Sequence, residues 1–243
     1  MAYEVEKEAI QKRLQDASVV TEEDTIRVVA LLFKEKLKDE KFKIPFKELK
    51  TLGFFNEVID KISARIWFTE EEIRFIVNME DDYVKAITIV GRIYAERMDL
   101  SGNPQSIHLS VVSEALKTYE GKVAGLLHDV VEDNYLTLGS LRYIFQFNEK
   151  SVCIVDVLTR DKDLYPTYDS YIKECILPSD ILEVPQAKLA DMLHNQSPER
   201  VKDLPTEEQR HKASTKYKPY IPLVKARAEE LEEQEIIKRR LRK

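Results

Sequence analysis

Hydrophobic residues recur mostly at helical spacing along this chain, and this pattern predicts an all-α fold. Two segments, Thr21-Glu-Glu-Asp24 and Thr69-Glu-Glu-Glu72, match the capping box that opens helices, and each precedes an apolar run with helical period. In the first hundred residues the pattern predicts helices over about 21–37, 45–63 (bent or interrupted near Gly53) and 69–98 (with a break around 79–81).

Beyond residue 98 the pattern predicts a loop and then short, closely spaced helices. Asp99-Leu-Ser-Gly-Asn-Pro104 has the composition of a loop. Pro185 suits the first turn of a helix, whereas Pro219 and Pro222 should kink or split the last helical region, which begins near Thr206. The short helices are expected at about 106–119, 122–134, 137–147, 150–159 and 167–176.

Composition and charge narrow the class of protein. With 243 residues, 43% of them hydrophobic, the chain can form one large domain or one domain with an appendage. No apolar stretch is as long as a membrane span, and we do not expect the polar residues 1–7 to belong to a signal peptide. The net charge of -6 carries no nucleic-acid-binding signature. Cys153 and Cys175 lack metal-type spacing, so we expect reduced thiols in a cytoplasmic protein.

The two ends of the chain carry no clear chemistry. We expect the aromatic residues Phe54, Phe55, Trp67 and Phe75 to build a small helical core within residues 1–80, a region whose role stays open. The segment 226–243 is acidic first and then basic, which favours a solvated helix over a nucleic-acid or membrane contact.

The most informative feature is the pair His128-Asp129 directly after the apolar run 123–127. An unpaired ionised carboxylate in a buried helix is costly, and a bound metal ion would compensate it. Neighbouring helical side chains point about 100° apart and can hold one ion together. Glu132 and Asp133 follow one turn later, where they could reach over the ion to a water or a phosphate.

A second polar face lies on the helix predicted around Lys188–Asn195. Lys188, Asp191 and Asn195 share one face, which offers a carboxylate ligand, a cation for phosphate and an amide for a sugar or base. His194 points about 60° away from Asp191. The sequence leaves two roles open for it, support of a metal ligand and packing in the core. His108, just inside the helix that precedes the one with His128, could approach the ion from another direction.

Two imidazoles and two carboxylates form a mixed nitrogen and oxygen site. Such a site suits Mn²⁺ or Fe²⁺, with Zn²⁺ and Mg²⁺ as further candidates. A metal ion polarises a phosphoryl oxygen and lowers the pKa of bound water, and a nearby carboxylate can then orient or deprotonate that water. The residues thus indicate metal-dependent hydrolysis.

The arrangement His108, His128-Asp129 and Asp191 resembles the H…HD…D pattern of the HD-domain metal phosphohydrolases. Longer strings narrow the resemblance to the hydrolase domain of RelA/SpoT-type proteins and the small alarmone hydrolases. These strings are Leu126-Leu-His-Asp-Val-Val-Glu-Asp133, Thr137-Leu, Val157-Leu-Thr-Arg160 and Lys188-Leu-Ala-Asp-Met-Leu-His-Asn195. The resemblance covers about residues 82–225 and implies removal of the 3′-pyrophosphate from guanosine tetra- and pentaphosphate, (p)ppGpp, with Mn²⁺.

The resemblance also implies roles for individual residues. The metal ligands would be His108, His128, Asp129 and Asp191, and Glu132 and Asp133 would handle the attacking water. Asn195 matches a position near the ribose, Lys188 and Arg160 match positions close to the site, and Tyr217 matches a tyrosine that contacts substrate.

This chain departs from the family around the first metal histidine. Gly102-Asn-Pro-Gln-Ser-Ile-His-Leu109 has Gln105 where the family has tyrosine and Leu109 where it has proline. The basic pair usual before the glycine is replaced by Met98-Asp-Leu-Ser101, with Arg97 the nearest cation. The predicted metal ligands are all present, while the side that would recognise guanosine is altered.

Together these inferences predict an HD-domain helical bundle at 81–225, a helical extension at 1–80 and a charged tail at 226–243. The leading function is hydrolysis of a nucleotide, with (p)ppGpp as first candidate. The alternatives are an HD-type phosphatase of another nucleotide, such as a nucleoside monophosphate, and an inactive metal- or nucleotide-binding regulator. The expected partner is a small nucleotide; neither nucleic acid nor membrane is expected, and a homo-oligomer is compatible with the sequence.

Overall fold

A computed structural model describes residues 21–38 and 42–241, and within these ranges the protein is all-α, as predicted. Helices account for the regular structure, and the described residues form no strand beyond a single bridge between Met98 and Pro104. The polar start at residues 1–7 and the last two residues of the tail lie outside the described ranges.

Most of the helices are short. Their bounds are α1 Glu22–Lys36, α2 Phe46–Thr51, α3 Asn56–Trp67, α4 Glu70–Val77, α5 Asp82–Ile93, α6 Gln105–Glu114, α7 Tyr119–Glu132, π1 Ser140–Ile144 (a π-helical turn), α8 Glu149–Leu158, α9 Tyr168–Tyr171, π2 Ile172–Ile176 (π-helical), α10 Glu183–Asn195, α11 Pro198–Lys202, α12 Glu207–Lys216 and α13 Ile221–Leu241.

Most predicted helix boundaries are confirmed. Thr21 and Thr69 each complete a capping box, and Asp81 accepts backbone hydrogen bonds at the start of α5 after the predicted break. Gly53, with φ of +90°, makes the turn that divides the predicted 45–63 segment into α2 and α3. The last helical region is divided between α12 and α13, and Pro222 lies in the first turn of α13, where proline is tolerated.

Two compact units make up the chain. The first contains residues up to 80 together with 133–147, and the second contains 81–132 together with 148–243. The segment 133–147 thus clusters with the first unit, although the sequence assigns it to the hydrolase domain. The functional division into 1–80, 81–225 and 226–243 stays a prediction.

The first unit has its own hydrophobic core, in which α1 packs against α3. Phe54 and Trp67 pack against this core as predicted, and the Trp67 indole donates a hydrogen bond to the Tyr135 carbonyl at 2.9 Å. The same prediction is wrong for Phe55 and Phe75, which are 78% and 67% exposed. Phe55 only precedes α3, and Phe75 lies beside the buried position of α4 rather than on it.

In the second unit α7 is surrounded by other helices. It packs against α5, α6 and α8, while α10 packs against α6, α8 and α13. At Gly125 the backbones of α7 and α6 approach closely, because a Cβ there would come within 2.7 Å of the Ser113 Cα on α6. The polar residues of α6, α7 and α10 are therefore brought into one interior.

No helix among the described residues combines the length and the apolar character needed to cross a bilayer.

Candidate metal centre

His128 lies in the buried middle of α7 and is only 3% exposed. Its Nδ1 is 2.8 Å from the Gly125 carbonyl oxygen, which can only accept, so the Nδ1–H donates this bond. In the neutral ring this leaves a lone pair on Nε2. Nε2 is buried without a hydrogen-bond partner and lies 3.1 Å from Asp129 Oδ1. A histidine that ligates a metal usually donates its other ring N–H to a carbonyl or carboxylate, as His128 does here.

His108 reaches the same point from α6. Its Nε2 is 3.7 Å from Asp129 Oδ2 and 3.4 Å from Asp191 Oδ1. One ligand atom from each of His108, His128 and Asp129 can be chosen so that all three lie within 4.8 Å of one another. The three residues form a group that could hold a metal ion.

The donor set fits a divalent cation. The partnerless nitrogen of His128 and the carboxylate oxygens of Asp129 converge, and His108 Nε2 faces carboxylate oxygens that cannot donate to it. Two imidazoles with carboxylate oxygens bind several first-row divalent metals. A buried acceptor surrounded by acceptors is stabilised by a cation between them.

Asp191, the fourth predicted ligand, comes from α10 and is paired with its own helix. Lys188 Nζ lies 2.8 Å from Asp191 Oδ2, and the Asn195 amide donates to Asp191 Oδ1. Burial alone would raise the pKa of Asp191, but Lys188 and the two histidines hold it well below its usual range. For Lys188, the nearby Asp191 outweighs the opposite effect of burial and raises its pKa well above the ordinary value. The pair is therefore ionised at neutral pH.

The charge on His128 depends on Asp129. Burial would lower the pKa of the imidazole, but the adjacent Asp129 carboxylate outweighs it and raises that pKa to about 9. In turn, His128 and His108 lower the pKa of Asp129 against the effect of burial. Without a metal, a proton on His128 is thus favoured at neutral pH, and a metal would take its place.

A hydrogen-bonded series of side chains lies behind His108. Its Nδ1 is 2.7 Å from His194 Nδ1, and Arg200 Nη1 is 3.2 Å from the same His194 nitrogen. Burial, together with the nearby His108 and Arg200, lowers the pKa of His194 to about 4. Of the two roles left open for His194, its hydrogen bond to His108 favours support of a candidate ligand.

Two tyrosines and a second lysine lie beside Lys188. Tyr217 is buried, its ring is 5.7 Å from that of Tyr168, and its hydroxyl accepts a hydrogen bond from Lys216 Nζ at 3.1 Å. Burial raises the pKa of Tyr217 to about 12. Lys216 was not singled out from the sequence, although it directly precedes Tyr217. Burial lowers the pKa of Lys216, and repulsion from the Lys188 ammonium group lowers it further. The two ammonium groups are therefore close enough to interact electrostatically.

The other predicted site residues, Glu132, Asp133 and Arg160, differ in how they relate to the histidines and carboxylates of the candidate metal centre. Glu132, exposed at the end of α7, is near enough to Lys188, Lys216 and Tyr217 to affect their pKa values. Asp133 is the next residue, exposed, and belongs to the first compact unit. Arg160 donates from its guanidinium to the carbonyls of Tyr165 and Pro166, within its own loop rather than to the cluster.

Gln105, which departs from the family pattern, contacts the cluster. Its side-chain amide donates to Asp129 Oδ2 at 3.2 Å, while His128 lies against the other oxygen of the same carboxylate. The residue in place of the family tyrosine therefore orients a candidate metal ligand.

Comparison with known proteins gives a distant similarity. No protein-family model matches this sequence. The chain is 29% identical over 150 residues to guanosine-3′,5′-bis(diphosphate) 3′-pyrophosphohydrolase of Borreliella burgdorferi. The match covers 57% of this chain but only 22% of that relative's length. The similarity supports a distant relationship to the SpoT-like hydrolases named from the sequence motifs.

Proposed function

We propose that this protein is a metal-dependent phosphohydrolase of a nucleotide, with removal of the 3′-pyrophosphate of guanosine 3′,5′-bis(diphosphate) as the first candidate reaction. The observation that carries the proposal is the buried, partnerless Nε2 of His128, which lies beside Asp129 and in one group with His108. The distant similarity to a pyrophosphohydrolase supports the choice of substrate. We assign His108, His128, Asp129 and Asp191 as ligands, with Mn²⁺ as the first candidate metal.

A bound divalent ion would supply Lewis acidity toward the phosphoryl group and acidify water. The chain's own residues would do the remaining work. Glu132 and Asp133 would orient the attacking water and accept its proton, which is worth about 10²–10⁴-fold in rate for a positioned general base. The ammonium groups of Lys188 and Lys216 both lie over the Tyr168 ring, so two positive charges are close together. These charges would attract the phosphates. Asn195, Tyr217 and Arg160 stay candidates for contacts to the nucleotide.

The test is a chromatographic assay of nucleotide products. Full-length protein loaded with Mn²⁺ is incubated with guanosine tetraphosphate, guanosine pentaphosphate and a panel of nucleoside monophosphates. We expect release of pyrophosphate from the tetraphosphate, lowered about 10²-fold or more by Glu132→Gln or Asp133→Asn. Glu114→Gln is the matched control, because Glu114 is an exposed carboxylate of the same unit that pairs with Lys122. Turnover that survives both catalytic substitutions would refute the assigned roles.

A second candidate is hydrolysis of a different nucleotide. It is favoured by Gln105, which contacts Asp129 at the position where the family pattern has a tyrosine. Release of phosphate from a monophosphate in the same panel would establish this alternative. One Mn²⁺ bound per chain without turnover of any nucleotide would instead indicate a binding or regulatory protein.

A further inference from the structure

Four polar side chains form a continuous series from Asp99, in the loop before α6, to the candidate ligand His108. Asp99 Oδ2 lies 3.4 Å from Arg200 Nη2, Arg200 Nη1 lies 3.2 Å from His194 Nδ1, and that nitrogen lies 2.7 Å from His108 Nδ1. The Asp99 and Arg200 side chains are only 4% and 14% exposed. A buried ion pair adds little net stability once the cost of removing both charges from water is included. We therefore ask which side chains the Asp99–Arg200 pair holds in place.

The hydrogen bonds define which nitrogen carries the proton. Arginine has only donors, so the His194 Nδ1 that it contacts must present a lone pair. His194 is then neutral, with its proton on Nε2. The short distance between the two Nδ1 atoms requires a proton on one of them, and that proton must belong to His108. His108 therefore donates from Nδ1 and leaves Nε2 for the side that faces Asp129 and Asp191.

The loop end of the series is fixed before any ligand binds. Asp99 Oδ1 accepts hydrogen bonds from the Ser101 backbone and hydroxyl and from the Asn103 backbone. Its other oxygen is thereby directed to Arg200. Asp99 lies in the connection that leads into α6, the helix that carries His108. The same aspartate thus ties α11 to the start of the metal-site helix.

We propose that Arg200 and His194 are positioning residues that hold His108 in the Nδ1–H tautomer and so present its Nε2 to a divalent cation. This inference rests on the proposed metal centre. A carboxylate or a backbone carbonyl usually accepts the second N–H of a metal-ligating histidine. Here a neutral imidazole does so, and an arginine keeps that imidazole in its accepting form.

The first readout is the affinity of chelator-stripped, full-length protein for Mn²⁺, measured by competition with a chromophoric chelator. Loss of such a supporting partner weakens metal binding by about 10–100-fold. We expect a loss of this size for Arg200→Met and for His194→Leu. His194→Asn should recover most of the affinity, because its Oδ1 stands one bond from Cγ as the histidine Nδ1 does and can accept from the His108 Nδ1–H. Arg227→Met is the control, since Arg227 pairs with Asp180 in the same unit and is also only 16% exposed.

The second readout is nitrogen-15 NMR of the histidine rings, with and without metal. We expect an unprotonated Nδ1 at His194 and a protonated Nδ1 at His108 in both states, and loss of this pattern in the Arg200 variant if it folds. A protonated His194 Nδ1 in the wild type would overturn the proposal, as would unchanged Mn²⁺ affinity in His194→Leu. If the wild type binds no Mn²⁺, the proposed function fails, and the ring spectra still decide the proton assignment.

Discussion

Replacement of Lys188 by methionine tests how the buried charges of the site are balanced. Lys188 Nζ lies 2.8 Å from Asp191 Oδ2, and the side chains of the pair are 7% and 10% exposed. Methionine keeps most of the stem but removes the charge, so a buried carboxylate loses its closest cation. Removal of one partner of a buried ion pair costs about 3–5 kcal/mol. We expect about 3 kcal/mol, the lower end of that range, because the Asn195 amide still donates a hydrogen bond to Asp191.

The assay is urea unfolding of chelator-stripped protein, with Lys122→Met as the control. Lys122 pairs with Glu114 at 3.2 Å but is 34% exposed, so its loss should cost less than about 1 kcal/mol. The difference between wild type and Lys188→Met should also shrink in acid. The folded pKa of Asp191 is lowered, so its contribution is present above the ordinary value of 3.8 and is lost as the pH falls through the folded value. A loss at neutral pH no larger than that of the control would refute the reasoning.

Three further predictions use other parts of the structure. Gly139→Ala should lower the free energy of unfolding by about 2 kcal/mol or more, because its Cβ would come within 2.0 Å of Asp60 Oδ2. In an Asp60→Ala background, the same change should cost less than about 1 kcal/mol in a double-mutant cycle. The pKa of His128 is raised to about 9, so metal-free protein should lose stability as the pH rises from 6.5 through that value. Mn²⁺ affinity measured by titration should increase over the same interval. An Mn²⁺ affinity that does not change with pH would contradict the exchange of proton for metal. Given the proposed function, Lys216→Gln should raise KM for a polyphosphate nucleotide about tenfold with little change in kcat, and an unchanged KM in steady-state kinetics would remove Lys216 from the substrate site.

The sequence predicted the chemistry of α7 because that chemistry is local. Adjacent residues on a helix have a fixed relation, so His128 and Asp129 were expected to share one site, and they do lie in contact. The pairing of Lys188 with Asp191 follows from the same regularity over one turn of α10. Helix starts at Thr21 and Thr69 were equally predictable, since the capping box is a pattern of four consecutive residues.

Contacts between distant segments were not predictable in the same way. Arg200 joins Asp99 to His194 across a separation of about a hundred residues, and no spacing rule connects them. Phe55 and Phe75 were expected in a core because they are aromatic, yet their positions beside α3 and on α4 leave them exposed. A buried position depends on which face of a helix finds a neighbour, and that is decided by packing rather than by residue type.

Gln105, in the altered segment before His108, has a contact that the sequence did not predict. The sequence marked Gln105 as a departure from the family, without a role for it. In the structure its amide donates to Asp129, so the departure adds a contact to a candidate metal ligand.

The most direct test of the central claim is the rate of pyrophosphate release from guanosine 3′,5′-bis(diphosphate) during a titration of chelator-stripped protein with Mn²⁺. We predict no release without metal and a rate that increases with bound Mn²⁺ until one ion is bound per chain. A rate that is independent of added metal, or the absence of pyrophosphate from fully loaded protein, would contradict the account.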